Sequence, residues 1–311
     1  MTRLPWIDAD TIAELLPMSA AIDATEAVLL NGLDPAGEPA RGKVDLTNGH
    51  LLLMPSESAD RVGVKIASVT PGNPAQGLAR IQAVYVLFDT ETLTPQALLD
   101  GAALTALRTP AVSGVAARHL APARASRLVV FGTGPQARSH IEAMRAVRPI
   151  DDLTVIGRSS GRAGQLVGDC VAAGIAAREG YRGDVADADL IVCATSSDDP
   201  VFDGSLVRAG ACVIACGSHE PQARELDSVL MGRAQVVVED PATALRETGD
   251  VITAVADGAL SVGSLVPLVD VVTGRVAVDS TRPTAFSSVG MAWEDLAIAA
   301  EVHRRWLATH S

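Results

Sequence analysis

The chain has 311 residues, long for one hydrophobic core, which predicts two domains. Hydrophobic residues make up 48% and charged residues 20%, an ordinary globular balance that excludes a disordered chain. The formal net charge of −12 opposes phosphate backbones and anionic lipid, so no nucleic-acid or membrane partner is expected, and no apolar run reaches the roughly 18 residues that span a bilayer.

The N-terminus, MTRLPWIDAD, has neither an apolar signal-peptide core nor a small-residue cleavage site, so a cytoplasmic location is expected. Helices are predicted around Asp10–Glu14 and Ala20–Asn31. Strand-like runs follow in GHLLLMPS, RVGVKIASV and AVYVLFDTET, separated by polar and Gly/Pro turns. Together they read as a separate α+β domain. The segment LDGAALTALRTPAVSGVAARHLA is helical in pattern, with a break expected at Pro110. APARAS (121–126) reads as the link onward.

Three cations stand out in this first part. The chain holds only two lysines, Lys43 and Lys65, and Lys65 sits between Val64 and Ile66 in an apolar strand. A lysine there either points outward, as strand alternation allows, or has an anion or a catalytic role that offsets desolvation. Arg108 lies in a small-residue helix with no nearby acid, and Arg41 precedes a strand. With few local partners, these cations suggest anionic ligands: a substrate carboxylate and cofactor phosphate.

From residue 126 strands and helices alternate. RLVVFG, LTVIG, ADLIVCAT, CVIACGS and AQVVVED read as continuous apolar strands. Helices are predicted over 135–147, 160–173, 203–208 and 222–232. That pattern predicts a doubly wound parallel α/β sheet, the Rossmann arrangement. Between the first strand and helix stand Gly132, Thr133, Gly134, Pro135, Gln136 and Ala137, a GxGxxA loop. Its glycines permit a tight turn and close approach to a pyrophosphate, and the helix start offers free N–H groups. At the end of the second strand, where NAD enzymes place an acid for the ribose 2′-OH, stand Arg158, Ser159 and Arg162. Arginines and hydroxyls suit a 2′-phosphate, so NADP(H) is the preferred cofactor, with NAD(H) possible. Thr195 and Ser196 end the third strand, and Ser218 and His219 follow the fourth, where ligands of such sheets bind. His219 is expected to face the reacting centre. The four cysteines lack metal-site spacing and read as small buried hydrophobes; no metal is expected. A last helix is predicted from a cap at Ser288, with Glu294 and Asp295 complementing its dipole.

The linked motifs MPS, GVKIASV, VLFDTETLTPQALLDGAALTALRTPAVS, GTGPQARSH, RELD and FSSVGMAWEDLA resemble the ornithine cyclodeaminase/mu-crystallin family over nearly the whole chain. The resemblance implies an α+β substrate and dimerisation domain over 1–120, joined by a C-terminal helix over 288–311. It implies a Rossmann domain over 121–287 and a homodimer. It puts substrate-binding roles on Arg41, Lys65, Arg108 and Gly290, catalytic roles on Lys65 and His219, and cofactor contacts on Arg108 and Val289. Where cyclodeaminases carry a catalytic aspartate, this chain has His219, and where they carry an acid for NAD it has Arg158–Ser159. Both departures point to an NAD(P)H-dependent reductase of imino acids, such as pyrroline-2-carboxylate or piperideine-2-carboxylate. The alternatives are an ornithine cyclodeaminase with bound NAD, an amino-acid dehydrogenase or synthase, and a non-catalytic NADPH-binding crystallin-like protein.

Overall fold

A computed structural model describes residues 4–59, 61–218 and 220–310. The chain divides into two compact units, Met1–Arg108 with Met291–Ser311, and Thr109–Gly290. The division falls at Arg108–Thr109, whereas the link was expected at 121–126.

The first unit opens with β1 (Trp6–Ile7), α1 (Ala9–Leu15) and α2 (Met18–Leu30). Asp8 caps α1 by accepting the Thr11 amide at 2.9 Å. Next come β2 (Gly42–Leu46), β3 (Gly49–Glu57), β4 (Val62–Val69), β5 (Ile81–Phe88) and β6 (Pro95–Asp100). They form a six-stranded sheet in the order β1-β6-β5-β4-β3-β2, antiparallel except for β1–β6. Along β4 every second residue is buried: Gly63, Lys65, Ala67 and Val69. Lys65 therefore lies on the covered face, not the outward one.

The next element, α3 (Gly101–Leu120), corrects an expectation, because it runs unbroken through Pro110. Residues 108–117 are all buried. Burial of that whole stretch outweighs the roughly 3 kcal/mol that an internal proline costs a helix.

The second unit holds β7 (Arg127–Phe131), α4 (Pro135–Val147), β8 (Asp152–Ile156), α5 (Ser160–Ala172), β9 (Ala177–Glu179), β10 (Leu190–Cys193) and β11 (Cys212–Ala215). It continues with α6 (Ser228–Arg233), β12 (Gln235–Val238), α7 (Pro241–Glu247), α8 (Gly249–Ala256), β13 (Val266–Pro267), α9 (Leu268–Val272) and β14 (Thr284–Ser287). Eight strands form one parallel sheet, ordered β13-β12-β14-β11-β10-β7-β8-β9. The strand order reverses at β7, with β8 on one side and β10 on the other. The Rossmann-type α/β fold is as expected. Two helices differ: 203–208 is only a 3-10 turn at Gly204–Leu206, and 222–232 becomes helical only at Ser228, capped by Asp227.

The last helix, α10 (Ala292–His310), belongs to the first unit and packs on α2, β3, β4 and β5. Ser288 does not cap it. The helix begins at Ala292, and the Ser288 hydroxyl donates to Glu239 at 2.6 Å. No helix among the described residues is long and apolar enough to cross a membrane. All four cysteines are free; Cys170, Cys193 and Cys212 are buried and Cys216 is half-buried.

Candidate active site

In the first unit, two buried cations meet two buried carboxylates. Lys65 Nζ donates to Asp295 Oδ2 at 2.7 Å and to Thr105 Oγ1 at 3.2 Å. Arg108 Nη1 donates to Glu294 Oε2 at 2.8 Å, and Arg108 Nε lies 3.6 Å from Asp295 Oδ1. Lys65 is 2% exposed, and Glu294 and Asp295 are 0% exposed. Buried charges are tolerated when paired and hydrogen-bonded in this way. Consecutive helix residues point about 100° apart, so α10 sends Asp295 to β4 and Glu294 to α3. From the sequence these acids were expected chiefly to complement the helix dipole, with lining of the site as the alternative. Glu294 does serve the helix start, accepting the Met291 amide at 3.0 Å, but its other oxygen holds Arg108.

Electrostatics tune the lysine. Burial pulls the Lys65 ammonium down to about 8, against the opposing pull of Asp295; Arg108 lowers it further. Tyr85 stands directly opposite Lys65 across the β4–β5 ladder, with Met54 on the β3 side. Burial pushes the Tyr85 phenol well above its usual range, and Asp295 and Glu38 add to the effect. The phenol lies over Gly63, where a Cβ would strike the ring. Arg41 is half-buried at the residue before β2.

In the second unit, a cleft of about 410 Å³ opens at the carboxyl ends of β7, β8 and β10. It is lined by the loop Gly132–Gln136, by Arg158, Arg162 and Arg182, and by Thr195, Ser196 and Ser197. Gly132 has φ +119°, and a Cβ there would collide with the Ala194 carbonyl. Ala137 is fully buried at the start of α4, where a small side chain is needed. The lining carries three arginines and no carboxylate. Arg182 was not singled out in the sequence; it reaches the cleft from a 3-10 turn after β9. Ser159 is the N-cap residue of α5. This lining fits a dinucleotide: a glycine cradle, a helix N-terminus and arginines.

Two buried carboxylates brace the strand ends beside the cleft. Glu225 accepts from the Thr195 amide and hydroxyl, both at 2.7 Å, and from the Gly217 amide at 2.6 Å. Asp250 accepts from the Glu225 and Leu226 amides and from the Ser218 hydroxyl at 2.8 Å. Ser218 is thus fully buried, with its hydroxyl committed to Asp250. Burial pushes the Glu225 carboxyl up to about 7. Glu239 accepts from Ser288 and from the Val289 and Gly290 amides, which fixes Gly290 at φ +71°. Glu225 and Asp250 escaped the sequence reading, although Glu225 lies in the quoted RELD stretch. His219 lies outside the described residues.

The model of the ornithine cyclodeaminase/mu-crystallin family matches residues 7–310. The chain belongs to that family. It is 34% identical over 278 residues to the Δ1-pyrroline-2-carboxylate reductase of Bacillus thuringiensis subsp. konkukian, spanning 86% of this chain and 85% of the relative. It is 32% identical over 316 residues to the ketimine reductase mu-crystallin of Rattus norvegicus, spanning 98% of this chain and 99% of the relative. Among solved structures, it resembles the Thermococcus litoralis Δ1-pyrroline-2-carboxylate reductase in complex with NADH and L-proline. The TM-score is 0.91 at 30% identity, covering 99% of this chain and 98% of that one.

Proposed function

We propose that the chain reduces the C=N bond of cyclic imino acids, pyrroline-2-carboxylate and its six-membered homologue piperideine-2-carboxylate. The observation that carries this reading is Lys65, a buried ammonium held at 2.7 Å by Asp295 beside the Arg108 guanidinium. Lowered to about 8, Lys65 is both charged near neutral pH and a ready proton donor. Lys65 protonates the imine nitrogen, while Arg41 and Arg108 hold the substrate carboxylate and orient the C=N carbon. The Gly132–Gln136 loop and the arginines of the cleft would hold a reduced nicotinamide dinucleotide, which when bound would supply the hydride. The similarity to reductases of the same substrate in Bacillus thuringiensis and Thermococcus litoralis supports the reading.

The cofactor of choice in this reading is NADPH, with NADH second. Support comes from Arg158, Arg162 and Arg182 in a cleft whose lining has no carboxylate. The cofactor role belongs to the second unit and the substrate and dimerisation role to the first. β2 is an exposed edge strand that carries the apolar Val44 and Leu46, a surface suited to a second copy of the chain. Sedimentation analysis tests this: a monomer at micromolar concentration sinks the dimer. Cyclodeamination asks for a fixed carboxylate where this chain has His219.

The deciding assay follows absorbance at 340 nm with pyrroline-2-carboxylate and NADPH or NADH, beside ornithine assayed for ammonia. Oxidation of NADPH without ammonia release is expected. Ammonia from ornithine with no net change at 340 nm overturns the reading in favour of a cyclodeaminase.

A further inference from the structure

The inference here rests on the imine-reductase reading and concerns the two acids at the start of α10. Glu294 and Asp295 are fully buried, adjacent in sequence, and each is bound to a different cation. A proton donor buried to 2% exposure has lost water as a stabiliser of its charge. Something fixed must replace it. The groups that face Lys65 are Asp295 and Glu294 from α10, Arg108 and Thr105 from α3, and Tyr85 from β5. Of these, Arg108 repels the ammonium, Thr105 is neutral and Glu294 is engaged by Arg108 at 2.8 Å. Asp295 alone among them makes a direct charged hydrogen bond to Nζ.

We propose that Asp295 is the positioning residue of the proton donor, its carboxylate holding the Lys65 ammonium in place and in its charged form. In each turnover Lys65 would give one proton to the imine nitrogen, balancing the hydride that a bound reduced nicotinamide would supply to the C=N carbon. The neutral amine then regains a proton from solvent. Without the Asp295 charge, a neutral amine is favoured beside Arg108, and the donor is empty at working pH.

The composition supplies an unusual test. With only two lysines in the chain, selective ¹³C-lysine labelling gives two side-chain resonances, assigned through Lys43→Arg. Lys43 is exposed and pairs with Asp45, far from this chemistry in role. In Asp295→Asn, the Lys65 titration is expected to fall by at least one pH unit. The basic limb of kcat/KM falls with it, kcat at pH 8 drops at least about fivefold, and KM for NADPH stays within twofold. Asp295→Glu restores part of kcat and of the titration. A folded Asp295→Asn with unchanged Lys65 titration and unchanged basic limb overturns the proposal. So does a wild-type Lys65 that titrates together with Lys43, which needs no variant to fold. If the wild type reduces no imine yet the titration moves in Asp295→Asn, the reductase reading falls and the Asp295–Lys65 coupling stands.

Discussion

Lys65 and Asp295, 230 residues apart in the chain, are joined by a 2.7 Å hydrogen bond between two buried side chains. The pair binds the C-terminal helix to the sheet of the first unit and makes one charge depend on the other.

Breaking the pair from one side strands a charge. Lys65→Met leaves the Asp295 carboxylate buried without its closest cation and is expected to destabilise the protein by about 3–5 kcal/mol. Lys65→Met combined with Asp295→Leu is expected to regain at least half of that loss, since an apolar pair replaces an ionic one. Urea unfolding measures both. Additive losses in the double variant contradict the pairing.

Cofactor choice is expected to rest on Arg158. Arg158→Ala should raise KM for NADPH by about tenfold, the size of a lost charge-assisted contact, and leave KM for NADH within twofold. Equal effects on both cofactors would falsify the 2′-phosphate role.

Gly132→Ala tests the glycine cradle. The left-handed backbone and the nearby Ala194 carbonyl both oppose a Cβ. A cost of about 1–3 kcal/mol in stability is expected, together with loss of measurable NADPH binding by fluorescence. An alanine variant that binds NADPH normally contradicts a backbone that must approach the pyrophosphate closely.

Stability against pH isolates Glu225. Its folded value is raised by burial to about 7, so its contribution is full below the unfolded value of 4.5 and is lost as pH rises through 7. His140 acts in the opposite sense. Burial lowers it to about 4, so its contribution is full above 6.5 and is lost as pH falls through 4. The two slopes oppose one another between pH 4.5 and 6.5, so the wild-type curve alone is uninformative. The difference between Glu225→Gln and wild type removes the His140 part. From pH 4.5 to 7 that difference should move by about 3 kcal/mol in favour of the variant. A constant difference means that the three hydrogen bonds to Glu225 outweigh its burial.

The glycine loop was legible because it is local: a strand, a turn and a helix start, all within a few residues of Gly132. The scarcity of lysine singled out Lys65 for the same reason, since composition needs no coordinates. Pro110 misled because propensity is weighed against burial, and burial is not local. Strand β14, between β11 and β12, also went unread, because TAFS has a polar residue at each end and lacks the apolar run that marks β10 and β11.

The sequence by itself determined the parallel α/β unit, the dinucleotide loop, the acid-free end of β8 and the family. Each depends on short-range periodicity or on a fixed spacing of residue types. Only the tertiary structure decided that Lys65 faces inward, that Arg108 does have acids beside it, and that Glu225 and Asp250 brace the strand ends. Those charges meet across 186 residues for Arg108–Glu294 and 230 for Lys65–Asp295. Pairing of buried charges is set by distance in space and by the loss of water around them, neither of which the order of residues along the chain records.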